Sequence, residues 1–174
     1  MVREVLPPAI VAFVALMSAA WANERSAELV SFFQDFCTPG PPDFATLDAK
    51  ATAMNLPVRR DATAPAAHTK SWLVTLKHGT HELIVGQARG PNSDFDFAGC
   101  SIGAEDANGD DVKEELIASL KLGAPTRESA SPDGTQRLIA WKYADDVTLL
   151  LADGTPMKIP GILLKLTRQT KTSH

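Results

Sequence analysis

The chain has 174 residues, 44% hydrophobic and 22% charged, with a formal net charge of −4. Such a balance is ordinary for a globular protein, contains no long low-complexity tract and lacks the basic excess that marks a nucleic-acid binder. The length fits one domain, large enough to bury a core without depending on disulfides.

Residues 1–22 have the layout of a secretory signal peptide. Arg3 and the amino terminus supply a short positive start, an uncharged stretch runs from Val5 to about Ala20, and Ala20-Trp21-Ala22 places small residues where signal peptidase reads them. Pro7-Pro8 shortens the apolar run below the roughly 20 residues of a comfortable membrane span. Cleavage is expected before Asn23, with retention as an N-terminal anchor as the competing outcome. No cysteine follows the apolar run, so a lipid anchor at the cleavage point is not indicated. The sequence thus predicts a periplasmic or secreted protein with no stable membrane span after cleavage.

Export changes the meaning of the two cysteines, Cys37 and Cys100. In an oxidising compartment a pair in a small domain is expected to be bonded, and a redox pair would sit in Cys-x-x-Cys spacing. A Cys37–Cys100 disulfide is therefore predicted, worth about 4 kcal/mol through chain entropy.

From Glu24 to Phe36, Leu29, Phe32, Phe33 and Phe36 recur at three- and four-residue steps, which predicts a helix. Thr38-Pro39-Gly40-Pro41-Pro42 interrupts it, and Asp43 caps a second helix lined by Phe44, Leu47, Ala51 and Met54, ending at Asn55 to Pro57. A phenylalanine-rich face suits a lipid or partner groove, but an apolar stripe at helical spacing is more simply a core face. Arg59 to His68 shows little periodicity and reads as an exposed connector. Arg59, Arg60, Lys70 and Lys77 give this region a positive bias, which suits an anion site less well than a solvated surface.

Trp72–Lys77 and Glu82–Gln87 are strand-like runs joined through His78-Gly79-Thr80-His81, a hairpin. His78 and His81 have a metal-compatible spacing, but no third ligand is marked and turn side chains need not converge. Asp94-Phe95-Asp96-Phe97 alternates and leads a further strand through Cys100. Gly99-Cys100-Ser101-Ile102-Gly103 matches a Gly-x-Ser-x-Gly nucleophile elbow. The elbow requires a tight strand-to-helix turn, whereas Ser101 is followed by a polar loop, so catalysis there is not expected. Asp106, Asn108 and Asp110 suggest a calcium loop but lack its glycine and final glutamate. Asp111 with Glu114 is instead read as a capping box for a helix from Val112 to Leu122, with Leu116, Ile117 and Leu120 inward and Gly123 as its stop. Arg137–Tyr143, Val147–Ala152 and Gly161–Arg168 are three further strands in meander order, and residues 169–174 read as a disordered tail. No internal repeat is visible.

The leader, Phe32-Phe33 ahead of Cys37, Pro42-Asp43-Phe44, Leu56-Pro57, Trp72, Cys100 and Trp141 together resemble a family of small uncharacterised exported bacterial proteins with two cysteines. The resemblance spans most of the chain after the leader. It implies a two-cysteine exported domain and lends no activity and no site residues.

The sequence therefore predicts one α+β domain over residues 23–168, with three helices packed on an antiparallel sheet of about six strands. No catalytic, metal or cofactor residues are marked. The expected role is a non-catalytic binding or interaction module for a protein or small-molecule partner in the cell envelope. The alternative is a small exported hydrolase or metal-dependent enzyme using His78, His81 or nearby carboxylates, with His68 in reserve.

Overall fold

The computed structural model describes residues 24–89, 95–157 and 160–171. The leader expected at residues 1–22 lies outside them. Residues 24–37 form helix α1, whose buried face is Leu29, Val30, Phe33, Phe36 and Cys37. The Thr38 hydroxyl donates to the Gln34 carbonyl at 2.8 Å, and the prolines that follow cannot extend the helix. Helix α2, Phe44–Ala53, starts on the Asp43 cap, whose carboxylate accepts from the Thr46 amide at 2.9 Å. It ends at Met54 and Asn55, the latter in the left-handed region at φ 55°. Phe44, Leu47 and Ala51 are buried as expected, but Met54 is 46% exposed, because the helix has ended before the next inward turn. Lys50 joins the two helices by donating to the Asp35 carbonyl and lying over the Phe36 ring.

Eight strands follow: β1 Val58–Ala64, β2 Ala67–Leu76, β3 Gly79–Arg89, β4 Phe95–Ala104, β5 Arg127–Ala130, β6 Arg137–Ala144, β7 Val147–Asp153 and β8 Ile162–Lys171. Helix α3, Gly109–Leu120, separates β4 from β5. All eight strands belong to one antiparallel sheet in the order β1-β2-β3-β4-β8-β7-β6-β5. The α+β class stands, but the sheet has eight strands rather than about six.

The two additional strands are β1, in the span read as a connector, and β5. They form the opposite edges of the sheet, and neither contains a fully buried residue. An edge strand that buries nothing needs no apolar alternation, so it leaves no period-two signal. β1 also bulges between Val58 and Arg60, and both edges carry charged side chains, devices that discourage further strand addition.

Helix α3 also begins earlier than expected. Its cap is Asn108, whose side-chain oxygen accepts from the amides of Asp110 and Asp111 at 2.9 and 3.3 Å. Asp111 therefore sits inside the first turn, where its negative charge suits the helix dipole. The helix stops at Lys121, in the left-handed region, two residues before Gly123. At the other end of the chain β8 continues to Lys171, pairing Thr170 with Asp96 and Lys171 with Phe95. Residues 169–171 thus belong to the sheet despite their polarity.

The core lies between one face of this sheet and the helices. Two cross-strand rows form its floor. The first is Trp72, Leu83, Ile102, Leu164, Leu151 and Ile139; the second, read from the opposite edge, is Trp141, Leu149, Leu166, Cys100, Val85 and Lys70. A half-turn about the Ser101–Lys165 pair exchanges these rows and places the two tryptophans in equivalent positions. The sheet is therefore a twice-used plan, a four-stranded meander joined to its copy along β4 and β8, preceded by two helices in the first half and one in the second. This repetition lies in topology and burial, not in residue identity, so no repeat is visible in the sequence. The Cys37–Cys100 bond closes a separation of 63 residues with a Cα–Cα distance of 5.7 Å, an ordinary span for a disulfide.

Candidate functional site

The sheet extends past the start of α2, and the uncovered part of its helix-side face forms an open groove of about 620 Å³. Its floor is a single row across four strands: His68 on β2, Gln87 on β3, Ala98 on β4 and Arg168 on β8. Arg89, Asp96 and Thr170 form the next row outward. Alternation along each strand puts these polar groups on the same face as the core, where α2 no longer covers it.

The side wall is Phe44, the first residue of α2, whose ring centre is 4.2 Å from that of His68. His68 is held from the other side, its Nε2 lying 2.7 Å from Asp61 Oδ1. Arg89 Nε donates to Asp96 at 3.3 Å, and Arg168 Nε donates to the Thr170 hydroxyl at 3.0 Å. Hydrogen bonds from Thr46 hold the Asp43 carboxyl below the usual carboxylate range, and the charge of Arg168 adds to this. The groove thus presents a stacked aromatic–imidazole wall, the guanidinium groups of Arg89 and Arg168, the latter also within 3.9 Å of Asp146, and the neutral amide of Gln87. Its size and mixed lining suit a small polar ligand with planar acceptor groups.

The residues singled out by sequence are dispersed. His78 and His81 do not share a site. His78 Nδ1 lies 3.0 Å from Glu28 on α1, and the same carboxylate accepts from the amides of Lys77 and His78. Burial pushes the Glu28 carboxyl up, but these hydrogen bonds and the charge of His78 outweigh it, leaving its pKa lowered. This arrangement ties the β2–β3 turn to α1.

His81 is buried on the core face beside Val74, and among the described residues its Nδ1 has no hydrogen-bond partner. Burial pushes its pKa down, more strongly than the charges of Asp106 and Glu28 raise it. Among the described residues no group of three or more His, Cys, Asp or Glu side chains converges as a metal site would require.

Ser101 lies within β4, not on an elbow, and its hydroxyl donates to the Ile84 carbonyl at 3.4 Å. Asp106, Asn108 and Asp110 face different partners: Arg25 at 2.6 Å, the amides that Asn108 caps, and Arg137 at 2.6 Å. The basic side chains around residue 70 separate into ion pairs, Arg59 with Glu82, Lys70 with Asp48 and Lys77 with Glu24.

Sequence reasoning did not single out Gln87, Arg89 or Arg168. They come from strands far apart in the chain, and only the β4–β8 pairing brings Arg168 into line with His68. His68 was noticed, but in a span read as a loop. A second groove, of about 540 Å³, opens at the other end of the strands on the helix-free face, with Leu73, Glu82, Gly103 and Leu163 among its lining. No family model, curated protein or solved structure matches the chain.

Proposed function

We propose that this chain is an exported binding module of the cell envelope whose ligand seat is the groove floored by His68, Gln87, Ala98 and Arg168. One observation carries the reading: the His68–Phe44 wall stands beside two guanidiniums in an open groove, with Asp61 fixing the imidazole. Arginine forks recognise carboxylate and phosphate oxygens in pairs, and the ring wall gives a planar ligand a stacking surface. The ligand class is a small anionic molecule or the acidic segment of a protein partner. Export rests on the leader read in residues 1–22, and the Cys37–Cys100 bond is compatible with it. The likeness to small exported two-cysteine proteins belongs to the same proposal.

The test is native mass spectrometry of the protein made with its own leader and recovered from the periplasm. A chain starting at Asn23 that carries a co-purifying anionic mass, lost in an Arg89→Ala, Arg168→Ala variant, is the expected result. A ligand-free chain, together with no heat released on titrating small dicarboxylates or inorganic phosphate, would overturn it.

The second reading is a small exported hydrolase or metal-dependent enzyme. The observation favouring it is the His68–Asp61 pair, since a carboxylate at 2.7 Å orients an imidazole as a general base requires. Turnover of ester or phosphoester substrates that is lost in His68→Gln, or loss of a bound metal to EDTA, would put this reading first.

A further inference from the structure

At the β8 side of the groove beside α2, two side chains of opposite charge line the opening without pairing. They are Asp43, the cap of α2, and Arg168 on β8. Hydrogen bonds from Thr46, and then the charge of Arg168, hold the Asp43 carboxyl below the usual carboxylate range, so it is ionised at neutral pH. Among the described residues, however, no ion pair joins the two groups. Asp43 Oδ1 accepts from the Thr46 amide at 2.9 Å, within its own helix. Arg168 spends its Nε on the Thr170 hydroxyl and, at 3.9 Å, on Asp146. A carboxylate accepts, and a guanidinium fork donates, more hydrogen bonds than these. Arg89 differs, because its Nε donates to Asp96 at 3.3 Å and the two charges cancel within the groove wall.

The other side of the groove carries no such charges. It is made by the Phe44–His68 stack and by Ala64, Pro65 and Ala66 at the β1–β2 turn. Between the two sides Ala98 keeps the floor low. We propose, resting on the reading of this groove as a ligand seat, that its ligand is a free α-amino acid with a flat side chain. The ammonium group meets Asp43, the carboxylate meets the fork of Arg168, and the ring lies against the Phe44–His68 wall.

Three features favour a zwitterion over a plain anion. An anion on Arg168 would face the ionised Asp43 with like charge, whereas an ammonium beside the carboxylate turns that repulsion into attraction. The charges lining the groove balance, Asp43 against Arg168 and Asp96 against Arg89, which suits a ligand of no net charge. The size is also right for one small molecule. Three strand intervals of about 4.8 Å separate β2 from β8 by roughly 14 Å, and His68 and Arg168 reach inward from both ends. A peptide terminus brings only one of the two charges and leaves the other group unmet.

The experiment is isothermal titration calorimetry of the dialysed, disulfide-bonded protein recovered from the periplasm. The probes are phenylalanine, 3-phenylpropionate without the ammonium, phenylalaninamide without the carboxylate, and alanine without the ring. Phenylalanine is expected to bind at least tenfold more tightly than each of the other three. Asp43→Asn keeps a capping side chain, so α2 is retained, and circular dichroism checks this. That variant should weaken phenylalanine at least tenfold and leave 3-phenylpropionate unweakened. Any of the three analogues binding as tightly as phenylalanine overturns the proposal, as does an Asp43→Asn affinity for phenylalanine within twofold of the wild type. Heat from phosphate or small dicarboxylates with none from phenylalanine also overturns it, while the anion-binding reading of the groove stands. No heat from any of these compounds overturns both.

Discussion

The two halves of the molecule use the same plan but fasten their helices by different chemistry. In the N-terminal half, α1 is bonded covalently to the sheet through Cys37 and Cys100, the latter on the central strand β4. In the C-terminal half, the place equivalent to Cys100 is taken by Leu164, and α3 is held by charge. Asp153 is only 1% exposed and its carboxylate lies against Gly109 at the start of α3. Its oxygens accept from Arg137 at 2.7 Å and from the Thr155 amide at 2.9 Å, while Arg137 also reaches Asp110 on α3 at 2.6 Å. A covalent link restricts the unfolded chain at any pH, whereas a buried ion pair depends on both partners and on a close backbone approach. Equivalent positions in a repeated fold can therefore respond to different stresses.

Removing the covalent fastening should have the largest effect. Replacing both cysteines by serine is expected to lower stability by about 4 kcal/mol, read as a shift in the urea midpoint against the oxidised protein. Amide exchange should rise first in α1, with α3 still protected; equal loss in both helices would show that the halves do not fasten independently.

The electrostatic fastening should rank next. A Cβ at position 109 would collide with the Asp153 carboxylate, so Gly109→Ala is expected to cost about 3 kcal/mol. Arg137→Ala leaves Asp153 buried without its cation and should cost about 2 kcal/mol, less than for a fully buried pair because Arg137 is itself 23% exposed. Gly103→Ala, whose Cβ would meet nothing closer than 3.9 Å, provides the neutral control. Equal midpoints for the Gly109 and Gly103 variants would refute the close approach.

A pH titration sharpens the contrast from the N-terminal side. Burial lowers the folded-state pKa of His81 below its ordinary value, so the unfolded chain binds this proton more readily. The stability associated with neutral His81 is fully present above about pH 6.5 and falls as the pH drops through that value toward the depressed folded pKa. Melting temperatures measured from pH 8 to 5 should decline in the wild type and flatten in His81→Leu. Parallel curves would remove His81 from the account. The smallest effects belong to the edges: Val58→Thr on β1 and Arg127→Gln on β5 should each stay within about 0.5 kcal/mol in the same urea assay.

Legibility followed burial. The helix faces of α1 and α2, six of the eight strands and the cysteine pairing could be read because each places apolar or paired residues at the period of its element. The cap of α3 was misplaced by three residues, since several Asx residues precede it and only the backbone geometry selects Asn108. The groove beside α2 was largely illegible. Its floor combines residues 68, 87, 98 and 168, and their alignment depends on the β4–β8 register.

The sequence by itself determined the α+β class, the two-helix start, the buried strands and the disulfide, because hydrophobic periodicity and thiol chemistry are local properties of residue type. The tertiary structure alone decided the edge strands, the repeated plan, the row that floors the groove and the meaning of Gly99-Cys100-Ser101-Ile102-Gly103. That stretch matches a catalytic pattern in one dimension. In three dimensions its cysteine faces the helices and its small residues face away from them, because successive side chains of a strand point to opposite sides of the sheet.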